Sequence, residues 1–188
     1  FNRLSVDGET STSDMALVFA NGESGGSLVE GRTSSGARRL QSAVDEVSIS
    51  LARDIARDGE GATRLVDIEV TGARTSAEAE RAARRVANSM LVKTAIFGGD
   101  PNWGRILQTI GAARVTIQES RAVVGIGGVE VFRAGSPTGA AARRRAAREL
   151  RKKEVRLRVH LGAGRARAEI FTCDLSYEYV RLNAEYTT

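Results

Sequence analysis

Apolar and polar positions recur along this chain with two periods, and the switches between them outline its elements. Leu40, Val44, Val47, Leu51 and Ile55 are spaced by four, three, four and four residues, which predicts a helix with one apolar stripe ending at Gly59. Val66, Ile68 and Val70 alternate with Asp67, Glu69 and Thr71, the pattern of a half-buried strand. Thr75 with Glu78 offers a capping box, and the Ala-rich stretch behind it predicts a helix to about Leu91. Two short apolar runs, over 15–20 before Asn21-Gly22 and over 92–97, are read as strands. Asp100-Pro101 supplies a cap acceptor and a first-turn proline for a helix whose buried face is Trp103, Ile106, Leu107 and Ile110.

The second half is richer in strand signals. Residues 123–132, broken by Gly125, Gly127 and Gly128, predict two short strands joined by a turn, and a basic helix is expected over about 138–153. Val155, Leu157, Val159 and Leu161 then alternate with Glu154, Arg156, Arg158 and His160, a strand with one wet face. Another strand is expected over 168–173, and the alternation in Tyr177-Glu178-Tyr179-Val180-Arg181-Leu182 predicts a last one paired into the sheet. Strands interleaved with helices point to an α/β (α+β) fold. A boundary falls near residue 65, where a long helix and a glycine turn precede a self-contained αβ unit.

With 41% apolar and 27% charged residues among 188, the chain has ordinary globular composition and is not a disordered tail. No apolar run approaches the roughly 20 residues that span a bilayer, and the N-terminal residues turn polar at once. One cysteine, Cys173, and one histidine, His160, exclude an internal disulfide and a zinc site built from such ligands. The expectation is a cytoplasmic protein with no membrane partner. The 28 basic residues exceed the 23 acidic ones, and Arg143-Arg144-Arg145, Arg148 and Arg151-Lys152-Lys153 form a dense block. Phosphate binding wants such a cluster, but single-stranded recognition also wants aromatic platforms, and none falls inside it. The block therefore reads as a solvated helix face with no nucleic-acid partner; a basic nucleic-acid-binding module is the alternative.

Familiar catalytic constellations fail one by one. A Cys–His pair or a Ser–His–Asp triad would need His160, which lies on the polar face of its strand, and no Gly-x-Ser-x-Gly elbow occurs. Gly22-Glu23-Ser24-Gly25-Gly26 lacks the Lys-Ser/Thr of a phosphate loop, and no helix opens at Gly125-Ile126-Gly127-Gly128.

Longer strings are more informative. Phe1-Asn2-Arg3-Leu4-Ser5-Val6-Asp7-Gly8, Asp58-Gly59-Glu60-Gly61-Ala62-Thr63, Gly98-Gly99-Asp100-Pro101-Asn102-Trp103-Gly104-Arg105 and the ending Asn183-Ala184-Glu185-Tyr186-Thr187-Thr188 occur in this order. On these blocks the chain resembles the β chain of the ornithine acetyltransferases, also called glutamate N-acetyltransferases. The stretch from about 113 to 172 resembles them only loosely. The resemblance implies a layered αββα-type sandwich part over 1–64, shared with an α chain, and a smaller C-terminal α/β domain over 65–188. It implies an enzyme of arginine biosynthesis that moves the acetyl group of N2-acetyl-L-ornithine to L-glutamate, in some members also from acetyl-CoA. A related acetyltransferase of secondary metabolism is the same-fold alternative.

In that family the precursor cuts itself into α and β chains and frees a threonine whose own α-amine serves as base. Such a nucleophile needs no imidazole, which suits a chain with one histidine. The threonine is expected upstream of Phe1, so no catalytic residue is assigned here. The expected partner is the α chain in an α2β2 assembly, and no metal or bound cofactor is implied. Three positions carry over as substrate contacts: Glu60, Asn183 and Thr188. A carboxylate on a tight glycine turn suits the ammonium of ornithine, and an amide can donate to a carboxylate or accept from an amine. Lys93, Asp100, Asn102, Trp103 and Arg105 are read as a structural corner, not as chemistry.

Overall fold

A computed structural model describes residues 1–186 of the chain and gives a mixed α/β fold, as expected. Strand β1 (Leu65–Ala73) alternates as the sequence predicts and lies between two later strands, parallel to β5 (Glu154–His160) and antiparallel to β6 (Ala166–Cys173). β2 (Val123–Ile126) and β3 (Val129–Arg133) form a hairpin through Gly127 and Gly128, both at positive φ, and the two-residue β4 (Ser136–Pro137) closes the edge. The sheet order is β4-β3-β2-β5-β1-β6.

One face of the sheet carries the main core. Val66, Ile68 and Val70 of β1, Leu157 and Val159 of β5 and Ile170 of β6 pack there against helices α2 (Ser76–Ala87), α3 (Met90–Phe97) and α4 (Trp103–Gly111). Thr75 caps α2 by accepting from the Glu78 amide at 3.1 Å. Helix α5 (Ala140–Glu149) covers the β3 end with Ala146, followed by buried Leu150. The opposite face is charged: Glu69, Arg156, Arg158 and Glu169 form a ladder of ion pairs across three strands. Its β6 side is covered by α1 (Ser35–Arg57), which lays Ala52 and Ala56 on Leu65 and Phe171. Arg53 anchors α1 by pairing with Asp67 at 2.5 Å and Glu154 at 3.0 Å.

Several predicted elements differ from those observed. The run over 92–97 is helical: Ser89 caps α3 at the Val92 amide, and Val92, Lys93, Ala95 and Ile96 are all buried. A short run that is buried all round has no period by which to tell strand from helix. For α4, the cap is Asn102, not Asp100, and Asp100 instead accepts from the Asn102 amide at 2.9 Å. The C-terminal segment is not a strand but helix α6 (Tyr177–Glu185), whose Ser176 cap accepts from the Glu178 and Tyr179 amides. Arg181 bridges Glu178 and Glu185 one turn away on either side, a helical spacing that the alternation concealed.

Residues 15–20 form no strand either, and Met15, Leu17, Val18 and Phe19 are exposed. A strand needs an edge to join, and the outer edge of β6 is engaged by Leu4 and Ser5 through a bridge to Phe171. The α1 stripe of Leu40, Val44, Val47, Leu51 and Ile55 is helical as predicted, yet it too faces outward. Among the described residues no helix is long and apolar enough to cross a membrane.

Candidate functional site

Of the three residues singled out from the sequence, Glu60 lies in the first half of the chain and Asn183 and Thr188 at its C-terminal end. Two of them meet. α1 ends at Arg57, and Gly59 and Glu60 follow in a turn closed by the Ala62 amide donating to the Gly59 carbonyl at 2.9 Å. Gly61 has φ +63°, and a Cβ there would run into the Tyr179 amide of α6, so the position is closed to other residues. Ser176, besides capping α6, donates to the Gly61 carbonyl at 2.5 Å. The glycine turn and the first turn of α6 are thereby locked together. Across that joint the Asn183 amide donates to the Glu60 carboxylate at 2.7 Å, and it also donates to the Tyr179 carbonyl at 3.0 Å. Thr188 lies outside the described residues.

The electrostatics around this pair are negative. The Tyr179 hydroxyl donates to Asp7 at 3.0 Å. Burial, the Asp7 hydrogen bond and the charges of Asp7, Glu60 and Glu9 push the Tyr179 phenol above its ordinary range, so it stays a protonated donor at neutral pH. Among the described residues Glu60 forms no ion pair, and its one hydrogen-bond partner is a neutral amide. Such a carboxylate keeps lone pairs free for a cation from solution. No group of three or more His, Cys, Asp or Glu is placed to hold a metal among the described residues.

Beneath the turn lies a polar floor. The fully buried Asp174 side chain accepts from the Thr63 amide at 2.7 Å, the Arg64 amide at 3.0 Å and the Arg64 guanidinium at 2.8 Å, as well as from the Thr63 hydroxyl. It ties the chain leaving the Glu60 turn to the chain entering α6. Beside it, the ammonium of Lys93 is buried and donates to the carbonyls of Val6 at 2.6 Å and Cys173 at 2.5 Å and to the Thr172 hydroxyl at 3.0 Å. Burial holds Lys93 below the ordinary lysine range, opposed by neighbouring Cys173, Asp174 and Asp7, and burial pushes the Cys173 thiol up.

The remaining members of the corner lie elsewhere. Trp103 stacks on Phe132 with ring centres 4.9 Å apart, and Arg105 donates to the Leu91 carbonyl at 2.8 Å, tying α4 to α3. His160 shares a 3.0 Å contact with the Thr71 hydroxyl on the exposed face of β5. The basic block spans the outer face of α5 and the turn that follows it; Arg143 reaches Asp100 at 3.4 Å and Lys152 pairs with Glu149. Sequence reasoning missed Asp7, Tyr179, Ser176 and Asp174. Of these only Ser176, two residues before Glu178, carried a local signal, that of a helix cap.

The chain is 46% identical to the arginine biosynthesis bifunctional protein ArgJ of Geobacter sulfurreducens over 188 residues, all of this chain and 48% of that protein. It is 45% identical to the protein of the same name from Desulfotalea psychrophila over 186 residues, 99% of this chain and 47% of that one. It thus spans about half the length of the curated relatives it matches. The crystal structure of arginine biosynthesis bifunctional protein argJ from Bacillus halodurans superposes with a TM-score of 0.92 at 38% identity, covering 99% of this chain and 87% of that one. The ArgJ family model matches residues 1–188 without a gap at either end, and the chain belongs to the ArgJ family.

Proposed function

We propose that this chain is the β-chain portion of an enzyme that transfers the acetyl group of N2-acetyl-L-ornithine to L-glutamate. The observation that carries this reading is the 2.7 Å hydrogen bond between Asn183 and Glu60, two residues that the family resemblance names separately and that stand 123 positions apart. With its α-nitrogen acetylated, the substrate keeps a side-chain ammonium and an α-carboxylate. Glu60 takes the ammonium. Asn183 holds the Glu60 carboxylate by one amide proton, gives the other to the Tyr179 carbonyl, and has a carbonyl oxygen that can accept from the same cation. Asp7, held by the neutral Tyr179 hydroxyl, keeps the surroundings negative, which favours a cationic ligand.

The chemical step belongs to a threonine N-terminal to Phe1, whose hydroxyl adds to the acetyl carbonyl and expels ornithine. The α-amine of glutamate then takes the acetyl group from the acyl-enzyme. Residues 1–64 contribute to a catalytic αββα domain completed by the α chain, and residues 65–188 form the second domain. The exposed stripe of α1 and the exposed run over 15–20 support this division, because each is an apolar surface without a cover among the described residues. The αβ pair is proposed to assemble in two copies.

Two measurements test the reading. The chain co-expressed with the α chain and the threonine-led segment is expected to convert N-acetylornithine and glutamate to ornithine and N-acetylglutamate, while the chain alone is inert. Turnover by the isolated chain, or none by the complete enzyme, overturns it. Deleting residues 185–188 from the complete enzyme is expected to leave the melting temperature unchanged within a few degrees and to remove most activity. The joint at Ser176 and Tyr179 precedes the cut, whereas Thr188 is lost with it. Full activity after the deletion removes Thr188 from the site.

A further inference from the structure

We propose that Lys93 is a positioning residue for Glu60, setting the place of that carboxylate through the two walls between which its turn is seated. This rests on Glu60 being the contact to the substrate ammonium. Lys93 lies on α3, 3% exposed, and its three ammonium protons meet the Val6 carbonyl, the Cys173 carbonyl and the Thr172 hydroxyl. Val6 belongs to the N-terminal segment that runs along β6, and Cys173 ends β6. Among the described residues no backbone ladder joins these two; besides a 3.8 Å contact from the Cys173 thiol to the Val6 carbonyl, the lysine is the clasp between them.

The Glu60 turn is fitted against that clasp. A Cβ built on Gly59 would stand 3.0 Å from the Val6 side chain and 3.1 Å from the Cys173 sulfur, so the backbone next to Glu60 touches both residues that Lys93 holds. The neighbour of Val6 on the other side is Asp7, which accepts from Tyr179, and the neighbour of Cys173 is Asp174, which accepts from Thr63 and Arg64. Lys93 therefore acts on Glu60 from below and on Asp7 from the side, while touching neither. The Lys93 carbonyl also accepts from the Leu175 amide at 3.4 Å, which carries the same constraint toward α6.

The choice of residue supports a positioning role. A buried ammonium loses its hydration, and that burial pulls its proton affinity down although Cys173, Asp174 and Asp7 oppose the shift. A methionine of similar length would fill the same volume without that cost. What methionine cannot do is donate in three directions at once; the buried Cys173 carbonyl would then lack the Lys93 donor, and the half-buried Val6 carbonyl would keep only the 3.8 Å contact from the Cys173 thiol. The cost is offset by fixing one arrangement of the two walls.

The test uses the complete enzyme, with KM for N-acetylornithine and for glutamate measured separately beside kcat and Tm. Lys93→Met is expected to raise KM for N-acetylornithine about tenfold, with kcat and KM for glutamate changed less than threefold, because glutamate brings no side-chain ammonium to Glu60. Placed on Glu60→Gln, Lys93→Met is expected to add almost nothing to that KM. Lys93→Gln, which keeps part of the donor set, is expected to fall between, and it carries the same cycle if Lys93→Met does not fold. A kinetic change by Lys93 variants that is additive with Glu60→Gln, or equal for both substrates, overturns the positioning role while leaving Glu60 as the contact. Glu60→Gln that is itself silent overturns the underlying reading, and that single variant shows it independently of Lys93.

Discussion

Asp174→Ala is expected to lower the free energy of unfolding by about 3–5 kcal/mol, the range found when one partner of a buried ion pair is removed. Asp174 has a fully buried side chain and gathers donors from both Thr63 and Arg64, and the Arg64 guanidinium is itself 17% exposed. Removing the carboxylate strands two backbone amides and leaves the largely buried Arg64 cation without its counter-ion. In thermal melts of the chain this corresponds to a Tm lower by on the order of 10 °C for a domain of this size. Asp174→Asn keeps the shape and one acceptor and is expected to cost less. A Tm within two or three degrees of the parent for Asp174→Ala would show that the site relaxes around the loss.

Glu60→Gln is the opposite kind of change, silent in stability and loud in function. The glutamine carbonyl still accepts from Asn183, and the turn glycines are untouched, so Tm is expected to hold within a degree or two. In the complete enzyme, kcat/KM for N-acetylornithine is expected to fall about tenfold or more, because a charge-assisted contact to the substrate cation becomes a neutral one. Activity with glutamate as acceptor is expected to be affected less. Unchanged kinetics for N-acetylornithine would make Glu60 a solvated turn residue.

Much of the sheet was legible because its central strands obey a single rule. β1 and β5 each have one apolar and one charged face, and the alternation of Val66, Ile68 and Val70 or of Val155, Leu157 and Val159 is visible without partners. The helix α1 was legible for the same reason, but not its surroundings: five apolar residues at helical spacing state that a stripe wants cover, not where the cover is. Residues 92–97 failed because burial on all sides erases the period, and the C-terminal helix because its ion pairs at three and four residues were outweighed by an alternation of large side chains. Of the site, the sequence named Glu60 and Asn183 through short strings, yet their meeting depends on Gly61 fitting under Tyr179, a contact between segments more than a hundred residues apart. The sequence places Lys93 in a structural corner and goes no further, since nothing in Val92-Lys93-Thr94 tells a buried ammonium from an exposed one.

The place of β1 in the sheet also governs the order in which the molecule takes shape. Both neighbours of β1 come late: Leu65 pairs with Glu154 on one edge and with Cys173 on the other. A ribosome making about 5–20 residues per second needs on the order of ten seconds to supply them. Throughout that interval Leu65, Val66, Ile68 and Val70 form a newly made apolar segment with two open edges, the arrangement most prone to pairing with the wrong strand. The helices α2, α3 and α4, all encoded before β5, are the segments available to shelter it. Pausing translation between α4 and β5 would lengthen this unprotected interval, and loss of nascent protein to aggregates would rise with the length of the pause.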